Sequence, residues 1–143
     1  MIAIFTPFIG IGKVDFGASI KEFIEDFDYD YLSKADGYIG EMYLIDNPKM
    51  TFGVDDDGKV IDIICDEECI YKERNLIGMT LEEFIRHTGE KYYGDVNELD
   101  FQDDDIPQYV YEFEDIGLQV WVKGVDGKIV TVIASTNDGE NLE

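Results

Sequence analysis

The chain has 143 residues and a net charge of −22, with 33 Asp and Glu against 11 Lys and Arg. That balance argues against nucleic acid and against an anionic membrane surface, because both are gripped by Lys and Arg. The 45% hydrophobic content is that of a folded chain rather than an acidic disordered tail, and the length predicts a single domain over 1–143.

The opening run "MIAIFTPFIGIG" is apolar but has no positive n-region and no small-residue cleavage site, and no segment reaches membrane-spanning length. A cytoplasmic location is expected. Ile2–Phe5 reads as a strand that adds to the main sheet. "FGASIKEFI" (Phe16–Ile24) then predicts a helix. Ser19 and Glu22 have capping-box spacing, and Gly17 permits a sharp turn before them. Ile20, Phe23, Ile24 and Phe27 fall on one helical stripe. Three strand-like runs follow: "YIGEMYLID", "KMTFGVD" and "KVIDIIC". The last two are joined by a hairpin signal at Asp57-Gly58-Lys59.

The same phrasing returns in "IGMTLEEFI" (Ile77–Ile85). Thr80 and Glu83 repeat the box after Gly78, Leu81, Phe84 and Ile85 form the stripe, and Gly89 is the expected stop. "QYVYEFED", "LQVWVKG" and "KIVTVIAS" follow, with the turn at Asp126-Gly127-Lys128. The predicted class is α+β: two helix-plus-three-strand-meander repeats, about 12–66 and 76–136, with the helices on one face of an antiparallel sheet. In the final strands, Ile61, Ile63 and Cys65, matched by Val130, Val132 and Ala134, are expected to meet the helices. Val60, Asp62 and Ile64, matched by Ile129, Thr131 and Ile133, then form an outer face. That face is either an open binding surface or covered by loops or the tail after Thr136.

Catalytic chemistry has little to work with. His87 is the sole histidine and falls on the polar side of the second helix, suited to a dipole contact at its C-terminus. No nucleophile elbow, zinc-protease helix or phosphate loop is present. We therefore expect no enzyme, no catalytic residue and no cofactor. Cys65 and Cys69 have the spacing of neither a redox pair nor a zinc site; two free thiols are expected, with pairing left open. Asp26, Asp28 and Asp30 alternate as in a calcium loop, but Tyr31 and Gly37 stand where that loop needs Gly and Glu. Asp55-Asp56-Asp57-Gly58 reads as a hairpin turn and Asp103-Asp104-Asp105 as a loop, so no metal site is assigned.

Acids interleaved with aromatics suit a basic protein partner: charge steers the encounter and buried aromatics hold it. "YYGDVNELDFQDDDIPQYVYEFED" (Tyr92–Asp115) has this character and is read as a long helix-to-sheet loop, with "DFDYDYLSKADGYIGEMY" as its counterpart. The expected contact residues are Asp28, Asp30, Tyr31, Tyr92, Tyr93, Asp103, Asp104, Asp105, Tyr109, Tyr111, Glu112 and Glu114. The two loops are expected to flank one surface.

"GKVDFGASIKEFIEDF" and its echo "LIGMTLEEFIRHTGE" resemble the small α+β repeat of β-lactamase inhibitor proteins and of the small outer-membrane-assembly lipoproteins. The resemblance covers about 12–66 and 76–136 and implies a scaffold rather than either activity, since the chain shows neither a lipidated Cys nor disulfides within each repeat. In character the chain is similar to acidic immunity proteins, which neutralise toxins delivered between bacteria. The expected function is accordingly a cytoplasmic immunity protein, monomeric when free, that blocks a basic toxin domain such as a nuclease. A nucleic-acid-mimicking inhibitor and a housekeeping adaptor are the alternatives.

Overall fold

A computed structural model describes residues 1–33, 35, 40–99, 106–124 and 127–136. Short strands β1 (Phe5–Thr6), β2 (Gly10–Ile11) and β3 (Val14–Asp15) make a separate three-stranded sheet. The expected N-terminal addition to the main sheet therefore does not occur. The main sheet takes β4 (Tyr29–Leu32), β5 (Glu41–Ile45), β6 (Met50–Val54) and β7 (Val60–Cys65). After the small hairpin β8 (Ile70–Tyr71) and β9 (Arg74–Asn75) comes helix α1 (Leu81–Thr88). The sheet is completed by β10 (Tyr93–Leu99), β11 (Gln108–Phe113), β12 (Leu118–Lys123) and β13 (Ile129–Ser135). All eight strands are antiparallel to their neighbours, in the order β10-β11-β12-β13-β7-β6-β5-β4.

The expected unit of one helix and three strands, written twice, is overturned. Among the described residues α1 is the one helix of seven residues or more. "FGASIKEFI" forms two successive 3-10 turns instead, Ile20–Glu22 and Ile24–Asp26. The two phrases share their start but not their finish. In α1 the box closes: Thr80 Oγ1 accepts from Glu83 N at 3.1 Å, and Thr80 N donates to Glu83 Oε1 at 2.9 Å. Arg86 and His87 occupy its last turn, and Gly89 ends it at φ 74°. At the first site Ser19 Oγ accepts from Lys21 N instead, and the following residues are Glu25, Asp26 and Asp28. Acids repel the C-terminal end of a helix, and no glycine closes the turn. Phe23 leaves helical geometry at φ −138°, and Phe27 is already extended.

The strand count is corrected as well. Each half of the sheet contributes four strands, because β4 and β10 come from the two stretches read as loops. The halves join where β13 pairs with β7, aligning Val132 with Cys65 and Ala134 with Ile63.

The inner face holds the core. Phe84 of α1 meets Phe113 edge-on with centroids 4.7 Å apart, and Phe23 meets Phe52 at 6.3 Å. Cys65 and Cys69 are both buried free thiols in this core. Ile63, Cys65, Val132 and Ala134 face inward as expected, but Ile61 and Val130 do not. The register shifts by one residue beside each, so Val60 and Ile129 point inward instead. Such bulges flip side chains because a strand's period is two. Both bulges have a visible cause. Gly17 N donates to Val60 O and Gly78 N to Ile129 O, so the turn entering each helical segment clamps the start of a strand.

On the outer face one row of cross-strand partners spans the sheet: Tyr93, Glu112, Gln119, Ile133, Ile64, Thr51, Leu44 and Asp30. Gln119, Ile133, Ile64, Thr51 and Leu44 are half-exposed. Asp62 lies beside this row against Gly53, which leaves no space for a Cβ under the Asp62 carboxylate. Burial pushes the Asp62 carboxyl up from its ordinary value, and the Gly53 N–H pulls the other way. The folded state therefore binds this proton more tightly than the unfolded chain. Ionisation costs stability above the carboxylate range, and the cost vanishes as pH falls through the folded pKa. Asp62→Asn is thus expected to raise Tm at pH 7, with the gain shrinking on acidification. Thermal melts of both proteins across that range check it; a gain independent of pH would refute the assignment.

Candidate functional site: an acidic cleft on the outer sheet face

The expected contact residues separate into two groups on opposite edges of the sheet. Asp28 precedes β4, and Asp30 and Tyr31 lie in it. Tyr93 lies in β10, Tyr92 just before it, Tyr109, Tyr111 and Glu112 in β11, and Glu114 in the 3-10 turn Glu114–Ile116. Because β4 and β10 are the two edge strands, the two stretches border the sheet from opposite sides and do not meet each other. Seven interstrand steps of about 4.8 Å separate them along the sheet. Asp103, Asp104 and Asp105 lie outside the described residues, as do Phe101 and Asp126.

Alternation divides each group further. At the β4 edge Tyr29 and Tyr31 lean on Tyr43 of the inner face, with centroids 5.6 and 4.9 Å away, while Asp30 points outward. At the other edge Tyr92 packs against Tyr111 at 4.9 Å and Phe113 at 5.9 Å. Tyr109 shares that inner face through its pairing with Val122. These rings close the ends of the core. Burial, and then the neighbouring Tyr92 and Tyr109, raise the Tyr111 phenol. Tyr93 and Glu112 face the other way. Tyr93 donates to Asp115 Oδ2 at 2.8 Å, and this bond raises the phenol further from ionisation.

Glu112 and Glu114 do meet, at a cleft of about 400 Å³ with Phe8, Gly117, Gln119 and Ile133 among its lining residues. The carboxylate of Glu112 is held by a short relay. Trp121 Nε1 donates to Gln119 Oε1 at 2.7 Å, and Gln119 Nε2 donates to Glu112 Oε2 at 2.6 Å. Oε1 of Glu112 and both carboxylate oxygens of Glu114 make no hydrogen bond or ion pair among the described residues. Phe8 also lines the cleft. It sits third in the β-turn Thr6-Pro7-Phe8-Ile9, closed by Ile9 N donating to Thr6 O at 3.0 Å, with φ 65°. That position ordinarily takes glycine. The ring rests on Gly117, whose φ is 64° and where an added Cβ would lie 2.7 Å from Phe8 Cε1.

Ile133 lies on the outer face as expected, but Phe8, Gln119 and Trp121 are not among the residues singled out from the sequence. The alternation of "LQVWVK" places Gln119 and Trp121 on one face, which is a readable signal. Proline before Phe8 marks the turn, but nothing in the sequence tells which strands that turn will touch. The other chemistry-bearing groups have structural partners. His87 Nε2 lies 2.9 Å from the Tyr71 carbonyl, which can only accept, so this nitrogen carries the proton. Asp55 Oδ1 accepts from Asp57 N and Lys59 N, which makes it the organiser of a hairpin turn. Among the described residues no three His, Cys, Asp or Glu side chains converge as a metal site requires, and no helix is long and apolar enough to cross a membrane.

No family model, no curated protein and no solved structure matches this chain.

Proposed function

We propose that this chain is a non-enzymatic binding protein that captures and neutralises a basic protein, in the manner of a bacterial immunity protein acting on a toxin domain in the cytoplasm. The observation that carries the reading is the net charge of −22 on a compact sheet scaffold whose edge strands present acids beside exposed tyrosines. Tyr29, Tyr31, Tyr92 and Tyr93 are each between 37 and 46% exposed, next to Asp28, Asp30, Glu90 and Asp95. Rigid amphipathic rings among carboxylates favour a partner rich in Lys and Arg. Against a nuclease, the acids would occupy the ground that phosphates occupy in its substrate cleft. Acids on both edge strands, and the register shift between Tyr93 and Asn97 in β10, oppose edge-to-edge pairing of copies, which fits a free monomer.

The test is capture from the native lysate on the tagged chain, followed by an inhibition assay with the purified captured domain. A small basic domain is expected, inhibited stoichiometrically. Its association rate should fall by about tenfold or more between low and physiological salt. Capture of a housekeeping complex without inhibition would favour an adaptor. Capture of an acidic or neutral partner with no salt dependence would remove the charge argument altogether.

A further inference from the structure

We propose that the cleft between Phe8 and Glu112 is a receptor for a single arginine side chain of the cationic partner; the proposal rests on the reading above and names the contact within it. Three features converge there. The cleft volume of about 400 Å³ fits one long side chain and stands at the small end of the ligand clefts of proteins, about 300–1,000 Å³. One wall is an aromatic ring fixed from behind by Gly117, and Ile133 lends the lining an aliphatic surface against which a methylene stem can lie. Two carboxylates, Glu112 and Glu114, lack a counter-cation among the described residues.

The arrangement favours guanidinium over ammonium and over a metal ion. A planar fork pairs with a carboxylate through two parallel bonds and stacks on a ring face, whereas an ammonium is a strongly hydrated point charge. A hard metal ion needs several converging anionic ligands, and among the described residues no third His, Cys, Asp or Glu joins Glu112 and Glu114. The relay from Trp121 through Gln119 holds Oε2 of Glu112 and leaves Oε1 without a partner among the described residues, so the acceptor is oriented before the ligand arrives. The chain's own C-terminal residues 137–143, "NDGENLE", contain no Lys or Arg and supply no internal cation.

The test is a titration of the full chain with N-acetyl-arginine amide, observed by NMR at the Trp121 Nε1–H, Gln119 Nε2–H and Gly117 N–H resonances. N-acetyl-lysine amide and the uncharged citrulline analogue serve as comparisons. Saturable shifts confined to the cleft are expected, with arginine bound several-fold more tightly than lysine and no response to citrulline. Glu112→Gln with Glu114→Gln should weaken arginine by about tenfold or more, as loss of charge-assisted bonds requires. Glu25→Gln, on the far 3-10 turn, should change nothing. Phe8→Gly keeps the turn, since glycine accepts its backbone angle, and should weaken arginine without unfolding the chain. Shifts spread over the whole acidic surface, or unchanged affinity in the Glu112/Glu114 variant, would overturn the site. The captured partner separates this failure from that of the functional reading. Undiminished partner binding by the double variant removes the cleft from the interface and leaves neutralisation standing. Cleft-specific arginine binding without any basic partner retains the site and removes the neutralising role.

Discussion

Phe84→Ala is expected to cost about 3–5 kcal/mol, a large share of the about 5–15 kcal/mol by which a domain of this kind is stable. Phe84 is fully buried and meets the equally buried Phe113 of β11 edge-on, 4.7 Å between centroids. It is also the most buried apolar anchor of α1, an eight-residue helix. A helix that short has no independent stability in water and persists through the face it packs. Removing the ring therefore takes away transfer free energy, leaves a cavity against Phe113, and loosens the helix whose Thr88 carbonyl accepts from Lys72 Nζ. Urea denaturation followed by far-UV circular dichroism should show a lower midpoint with little change in slope. Phe84→Leu should cost less, because it refills part of the cavity. A midpoint shift worth less than about 1 kcal/mol would mean that α1 is not anchored by this contact.

Gly117→Ala is the second large effect, at about 2–5 kcal/mol. Its φ of 64° imposes the left-handed penalty on any side chain, about 1–2 kcal/mol. The added methyl would also stand 2.7 Å from the Phe8 ring and 2.8 Å from the Ser135 carbonyl, and such overpacking costs about 1–3 kcal/mol. The backbone has little room to retreat, because Ser135 N donates to Gly117 O at 3.0 Å and ties β13 to this turn. The coupling is measurable. In a double-mutant cycle, Phe8→Gly should return part of what Gly117→Ala loses, since the ring clash disappears while the Ser135 clash remains. Strict additivity would show that Phe8 does not rest on Gly117. The single Gly117→Ala variant should also weaken arginine in the cleft by displacing its wall.

Local rules were legible where the information is local. The capping box of Thr80 and Glu83, the stop at Gly89 and the hairpin turn at Gly58 each depend on side chains within a few residues, and each forms. Six strands also lie within or across the alternating runs that suggested them. The similarity between "FGASIKEFI" and "IGMTLEEFI" misled because it ends where the deciding residues begin. Glu25, Asp26 and Asp28 follow one phrase, whereas Arg86, His87 and Gly89 complete the other. A helix needs its C-terminal end satisfied as much as its N-terminal one.

The sequence by itself determined the charge, the absence of familiar catalytic motifs, the antiparallel character of the sheet and the complete cap of α1. Tertiary structure decided which residues meet. It drew "YDYL" and "YGDVNEL" into edge strands, although their side chains are too polar to announce themselves, because an adjacent strand offers hydrogen bonds to any backbone that can reach it. It shifted Val60 and Ile129 inward through bulges clamped by distant turns. It also brought Phe8 beside Gly117 and into one cleft with Glu112, across more than half the chain, a placement set by how a small N-terminal sheet packs on the large one. Periodicity reports which way a side chain points relative to its neighbours in sequence; the partner it finds there depends on packing between segments that no local pattern encodes.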